Sequence, residues 1–162
     1  SWLDLGFKFR TFWPDLRANW FWFVLVGLVS QPLTTLVSKY WFPAFLEHVI
    51  NRLPFNQGLG LGTILPMMAV TLVLEELTYR TLIQGRLTPY LGAPLAILVA
   101  SILFGFAHFD SGPFWIVFLD VGMIIVDSIL YGIIYKHSNN IVVTWLAHLI
   151  GNTLGLIVLM SV

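Results

Sequence analysis

Five stretches of the chain, residues 19–37, 62–84, 93–108, 113–135 and 141–160, are mostly apolar. A helix rises about 1.5 Å per residue, so about 20 such residues cross a bilayer, and somewhat fewer suffice inside a bundle. The expected fold is therefore an all-α, multi-spanning transmembrane bundle of about five spanning helices, read as a single integral-membrane domain over residues 1–162. The third stretch is short and Asp110 follows it closely, which places it within the bundle or ending at a cavity. Composition agrees: 58% of residues are hydrophobic and 10% charged, with a mean hydropathy of +0.86. Eight basic and eight acidic residues cancel, so no charge argument points to nucleic acid, and the lipid bilayer with something inside it is the expected partner. The absence of cysteine excludes disulfides, thiol nucleophiles and cysteine metal sites.

Trp2, Trp13, Trp20, Trp22, Tyr40, Trp41, Tyr90 and Trp115 fall near the ends of these stretches, as interfacial aromatic belts do. Between the first two stretches, "PAFLEHVINRL" puts Phe45, Leu46, Val49, Ile50 and Leu53 on one helical face and Glu47, His48, Asn51 and Arg52 on the other. An amphipathic helix lying flat in the interface is expected there. Lys8, Arg10, Arg17, Arg86 and Lys136 fall on one side of this topology and Lys39 and Arg52 on the other. The positive-inside rule then puts the N-terminus in the cytoplasm. The chain starts "SWLDLG", without an initiator Met, and reads as an excised domain with no signal peptide to interpret.

An ionisable side chain at membrane depth costs at least about 2.5–3.5 kcal/mol, and so usually faces a partner or a cavity. Glu75, Glu76 and Arg80 lie in the second stretch, His108 ends the third, Asp120 and Asp127 lie in the fourth, and His148 and Asn152 in the fifth. Glu76 and Arg80 are four apart and can pair, while Glu75, turned by about 100°, is left without that partner. His148 and Asn152 share a face in the same way. Counting from the expected cytoplasmic ends, Glu75 lies about 13 Å deep, His148 about 10 Å, Asn152 about 16 Å and His108 about 22 Å. All four fall within about two helical turns of one another.

A carboxylate, two imidazoles and a carboxamide facing one cavity suit hydrolysis. A carboxylate outside an ion pair takes a proton from water, and an imidazole holds that water and later protonates the leaving amine. A second imidazole and an amide N–H stabilise the oxyanion of a tetrahedral intermediate. Glu75, His108 and His148 are also three candidate zinc ligands, with water as the fourth. The helical HExxH spacing is absent and the three come from separate helices, so no cofactor is expected. Each feature alone has a plainer reading. The Glu76/Arg80 pair can fix packing, and "FGFAH" and "HLIGN" can be interhelical hydrogen-bonding positions, with Gly105, Ala107, Ala147, Gly151 and Gly155 allowing close approach. Asp120 and Asp127, seven apart and on one face, are candidates to line a water-filled cavity, to pair with Arg80 or to carry protons, with structural pairing favoured over direct catalysis.

Taken in order, Glu75-Glu76-x-x-x-Arg80, Phe104-x-x-x-His108 and His148-x-x-x-Asn152 resemble the CPBP family of CAAX proteases and bacteriocin-processing enzymes, also called the Abi or type II CAAX prenyl endopeptidase-like family. The resemblance covers residue 62 to the C-terminus, a motif-bearing core of residues 62–162. It implies a multi-spanning intramembrane endopeptidase acting on a peptide or prenylated protein substrate. Eukaryotic members cut the last three residues from prenylated CAAX proteins; bacterial relatives are associated with bacteriocin self-immunity, peptide maturation and cell-envelope regulation. Carried over, it makes Glu75 the general base, has His108 position the water, gives the oxyanion to His148 and Asn152, and has Glu76 and Arg80 hold the site. Tyr79 and Phe104, with Asp120 and Asp127, are candidate cavity-lining residues. The family has been described both as metalloproteases and as metal-independent glutamate proteases. The aspartates of the fourth stretch depart from the small residues common there. Two other functions compete: a non-catalytic protein that confers immunity or regulation through helix contacts in a bacterial cytoplasmic membrane, and a small proton-coupled transporter using Asp120 and Asp127.

Overall fold

The computed structural model describes residues 5–51 and 59–161. Trp2 of the aromatic set, and Arg52 and Leu53 of the amphipathic segment, lie outside the described residues. A short 3-10 turn, Phe9–Thr11, leads into helix α1 (Phe12–Ala18). Helix α2 (Trp20–Trp41) follows, then α3 (Pro43–Asn51), α4 (Leu61–Ala107), α5 (Phe114–Ser138) and α6 (Ile141–Ser161). No strand occurs among the described residues.

Four of these helices, α2, α4, α5 and α6, are long and apolar enough to cross a membrane. The 47-residue α4 accounts for two of the five expected spans. It breaks at Gly92, whose φ of 74° and ψ of 158° lie outside helical space and in a region that glycine adopts at no steric cost. The chain then doubles back: the Tyr79 ring on the first leg meets the Phe104 ring on the second edge-on, with centroids 4.9 Å apart. The first leg was expected to stop at Gln84, yet the helix continues to Leu91 through Gly85 and Pro89. Proline removes one helical hydrogen bond, and the helix carries that loss without ending.

Two segments are π-helical, Leu25–Ser30 in α2 and Leu77–Gln84 in α4. Wider turns of this kind are uncommon and gather at functional sites. The second lies directly after Glu75 and Glu76.

Small residues set how closely the helices pack. A Cβ on Gly27 would sit 3.2 Å from the Ala147 carbonyl oxygen, and one on Gly151 would sit 3.0 Å from that of Val26, so α2 and α6 cross with their backbones nearly in contact. Gly105 does the same for α4 on α5, facing Ile125 and Val121. Val26, Tyr131, Ile134, Val143 and Ala147 form a buried cluster where α2, α5 and α6 meet, and Phe12, Leu16 and Phe23 pack against it. Trp22 packs there as well and does not join the exposed belt. Trp13, Trp20, Tyr40, Trp41, Tyr90 and Trp115 are exposed, as the belt requires.

The chain before α1, and α1 itself, are tied to the bundle. The Ile141 backbone N–H donates to Gly6 O at 2.8 Å, Asn140 Nδ2 donates to Lys8 O and Asp15 Oδ2 at 2.9 and 2.7 Å, and Thr81 Oγ1 donates to Leu5 O at 3.0 Å. The N-terminal segment, the start of α6 and the π-helical part of α4 thus share one end of the molecule.

Helix α3 differs from its expected polar and apolar division. Phe45 is buried as expected. His48, however, turns inward, its side chain 9% exposed and its Nε2 3.7 Å from Asp120 Oδ2. The helix packs against α5 by an edge that includes His48, and so does not lie with its whole polar face in solvent.

Candidate active site

The fold at Gly92 explains how the first two motifs meet. Glu75 lies 17 residues before the break and His108 16 after it, so the two legs bring them level. His108 Nε2 is 3.9 Å from Glu75 Oε1. The depth difference of about 9 Å expected from the sequence disappears, because the hairpin turns at residue 92 and the first leg does not end at 84.

The second carboxylate is held from two sides. Glu76 Oε2 accepts from Arg80 Nε at 3.2 Å, and Glu76 Oε1 meets His148 Nδ1 at 2.9 Å. Both side chains of the Glu76–Arg80 pair are fully buried. Arg80 Nη2 continues the chain by donating to Ser128 Oγ on α5 at 2.9 Å. Four groups from three helices thus form one line, Ser128–Arg80–Glu76–His148. Helical spacing indicated the central pair, whereas the bond to His148 and the role of Ser128 depend on how α5 and α6 are rotated against α4. One signal was available for Ser128: a small hydroxyl residue beside an intramembrane aspartate.

Hydrogen bonding fixes which nitrogen each imidazole offers. His108 Nδ1 lies 2.8 Å from Phe104 O, a carbonyl that can only accept, so Nδ1 carries the proton. His148 Nδ1 faces the Glu76 carboxylate and is assigned as a donor by the same reasoning. Each ring therefore presents Nε2, and that of His108 points toward Glu75.

Phe104, 3% exposed, is the packing centre of the site. Its ring lies 4.4 Å from that of His108, 5.9 Å from that of His148 and 5.7 Å from the Arg80 guanidinium carbon. Tyr131 on α5, 1% exposed, stacks on His148 with centroids 4.4 Å apart and planes 26° apart. Asn152 is half-buried and lies one turn beyond His148 on α6. Among the described residues, no hydrogen bond ties it to Glu75, His108 or His148.

The aspartates of α5 lie elsewhere. Asp127 does not pair with Arg80; its Oδ1 and Oδ2 accept from Ser30 Oγ and Gln31 Nε2 on α2, each at 2.5 Å. Successive residues on a helix point about 100° apart, so Asp127 faces α2 while Ser128 faces α4. Asp120 faces His48. Both aspartates line a cavity of about 70 Å³ between α2, α3 and α5, and their described partners are Ser30, Gln31 and His48, not Arg80.

Glu75 is thus a carboxylate facing a histidine Nε2, with Oε2 buried and without a hydrogen bond among the described residues. Its neighbour is fully occupied by an arginine and a second histidine. Chemically, the first is available to accept a proton and the second to hold other groups in place. Among the described residues, no three His, Asp, Glu or Cys side chains are arranged to hold a metal ion.

A family model described as type II CAAX prenyl endopeptidase Rce1-like matches residues 56–154, which contain every motif above. No curated protein and no solved structure matches the chain. The family match covers more than half of the sequence, from before the first leg of α4 to beyond Asn152, and the chain belongs to the type II CAAX prenyl endopeptidase Rce1-like family.

Proposed function

We propose that the protein is a glutamate-type intramembrane endopeptidase that hydrolyses a peptide bond near the membrane surface. The observation that carries this reading is the unequal treatment of two adjacent carboxylates. Glu76 is fully engaged by Arg80 and His148, whereas Glu75 faces the His108 Nε2 with one oxygen that has no hydrogen bond among the described residues.

Glu75 takes a proton from a water molecule held between it and His108 Nε2, and the resulting hydroxide attacks the scissile carbonyl. Negative charge develops on that carbonyl oxygen. Asn152 donates an amide N–H to it, and His148, having taken a second proton from solvent at Nε2 before the reaction, donates a second hydrogen bond with Glu76 behind it. The proton on Glu75 passes to the leaving amine through His108 as the C–N bond breaks. Arg80, Glu76 and Ser128 hold the ring of His148 from one side, and Tyr131 stacks on its face. The reaction as proposed uses no metal ion.

The substrate class is a peptide or a lipidated protein tail of CAAX type. We place the N-terminus on the cytoplasmic side of a bacterial-type membrane. The basic Lys8, Arg10 and Arg17 precede α2, and hydrogen bonds tie this segment to the starts and ends that carry Arg86 and Lys136.

The test is cleavage of a mixed pool of peptides, including farnesylated CAAX sequences, by purified protein in lipid nanodiscs, with and without a zinc chelator. The expected result is cleavage that survives chelation and disappears in Glu75→Gln. Loss on chelation would contradict the metal-free mechanism. A folded protein that cleaves nothing in the pool would favour a binding role in immunity.

A further inference from the structure

The cavity between α2, α3 and α5 is separate from the Glu75 cluster, and the reaction above makes no use of it. Its polar wall comes from Gln31, Thr34, Thr35 and Ser38 on α2 and from Asp120 and Asp127 on α5. The volume, about 70 Å³, holds a small ion together with water, since one water occupies roughly 10–15 Å³ on this measure.

Three features identify what it binds. First, Asp127 is buried at membrane depth, and its described partners, Ser30 Oγ and Gln31 Nε2, are neutral donors. Among the described residues, no lysine or arginine lines the cavity, and Arg80 is committed to Glu76 and Ser128. A carboxyl group in that position is either stabilised by a cation or gives up its charge by taking a proton. Second, Ser38 lines the cavity while 4% exposed, and its hydroxyl makes no hydrogen bond among the described residues. Third, apart from the Gln31 amide nitrogen, which is spent on Asp127 Oδ2, the polar side-chain atoms on this wall are oxygens, the ligands of hard cations. The two aspartates are seven residues apart, about 10 Å along the helix, so only one reaches a given ion directly. One carboxylate with hydroxyls and water suits a single positive charge and falls short of what calcium or magnesium requires. Asp120 keeps its contact with His48 in this arrangement.

We propose that this cavity binds one small monovalent alkali cation, held by a carboxylate oxygen of Asp127, the Ser38 hydroxyl, a further hydroxyl of α2 and water. The bound ion joins α2 to α5 in the middle of the bundle.

The test is thermal melting of the purified protein in nanodiscs at constant ionic strength, replacing choline chloride stepwise with sodium chloride or potassium chloride. The expected result is a saturable rise of at least about 2 °C in one or both alkali salts. It should be absent in Asp127→Asn and reduced in Ser38→Ala, the second variant serving if the first fails to fold. Glu75→Gln should keep the full rise, so failure of the proteolytic reading leaves this one standing. Equal melting in all three salts overturns the proposal, as does a rise that persists unchanged in both variants. A midpoint that follows pH and ignores the identity of the cation also overturns it, because the cavity then takes a proton.

Discussion

Glu75 and Glu76 are neighbours in sequence with opposite surroundings, because the helix turns about 100° between them. Glu76 is bonded to Arg80 and His148 with no exposure, so removing either charge leaves the other buried and unpaired. Arg80→Met is expected to lower stability by about 3–5 kcal/mol, read as a fall in melting temperature. Tyr131 acts on His148 through its ring face. Tyr131→Phe is therefore expected to retain turnover, while Tyr131→Leu lowers kcat with little change in KM; equal losses in both variants would assign the role to the hydroxyl. At this scale the sequence was partly legible. Four-residue spacing gave the Glu76–Arg80 pair and set Glu75 apart, but it says nothing about contacts between helices, and so the His148–Glu76 bond, the Ser128 contact and the Ser30 and Gln31 partners of Asp127 were not visible.

Among the elements, α4 determines the site. Its two legs bring residues at similar distances from Gly92 level with one another, so Glu75 meets His108 and Tyr79 meets Phe104. The positive φ of Gly92 makes this turn sensitive to a side chain. Gly92→Ala is expected to cost about 1 kcal/mol or more, and to lower activity further by shifting the legs out of register. Helix α6 depends on small residues in the same way. A larger side chain at Gly151 meets the Val26 carbonyl, and Gly151→Val is expected to separate α2 from α6 and to lower the melting temperature. The glycines and the apolar lengths were readable in the chain. The π-helical turns and the continuation of the first leg past Gln84 were not, because glycine, proline and arginine in "GRLTPYLG" carry the composition of a loop.

For the whole molecule, spans, aromatic belts and family motifs agree on a membrane-embedded protease of one family. In the proposed mechanism one carboxylate performs the chemistry while its neighbour holds the structure. The most direct test compares Glu75→Gln and Glu76→Gln in nanodiscs, measuring peptide cleavage and thermal melting on the same preparations. Glu75→Gln is expected to melt like the unmodified protein and to lose cleavage by a factor of about 10² to 10⁴, whereas Glu76→Gln is expected to melt at a clearly lower temperature. A folded Glu75→Gln that still cleaves at the original rate, or a Glu76→Gln of unchanged stability, would contradict it.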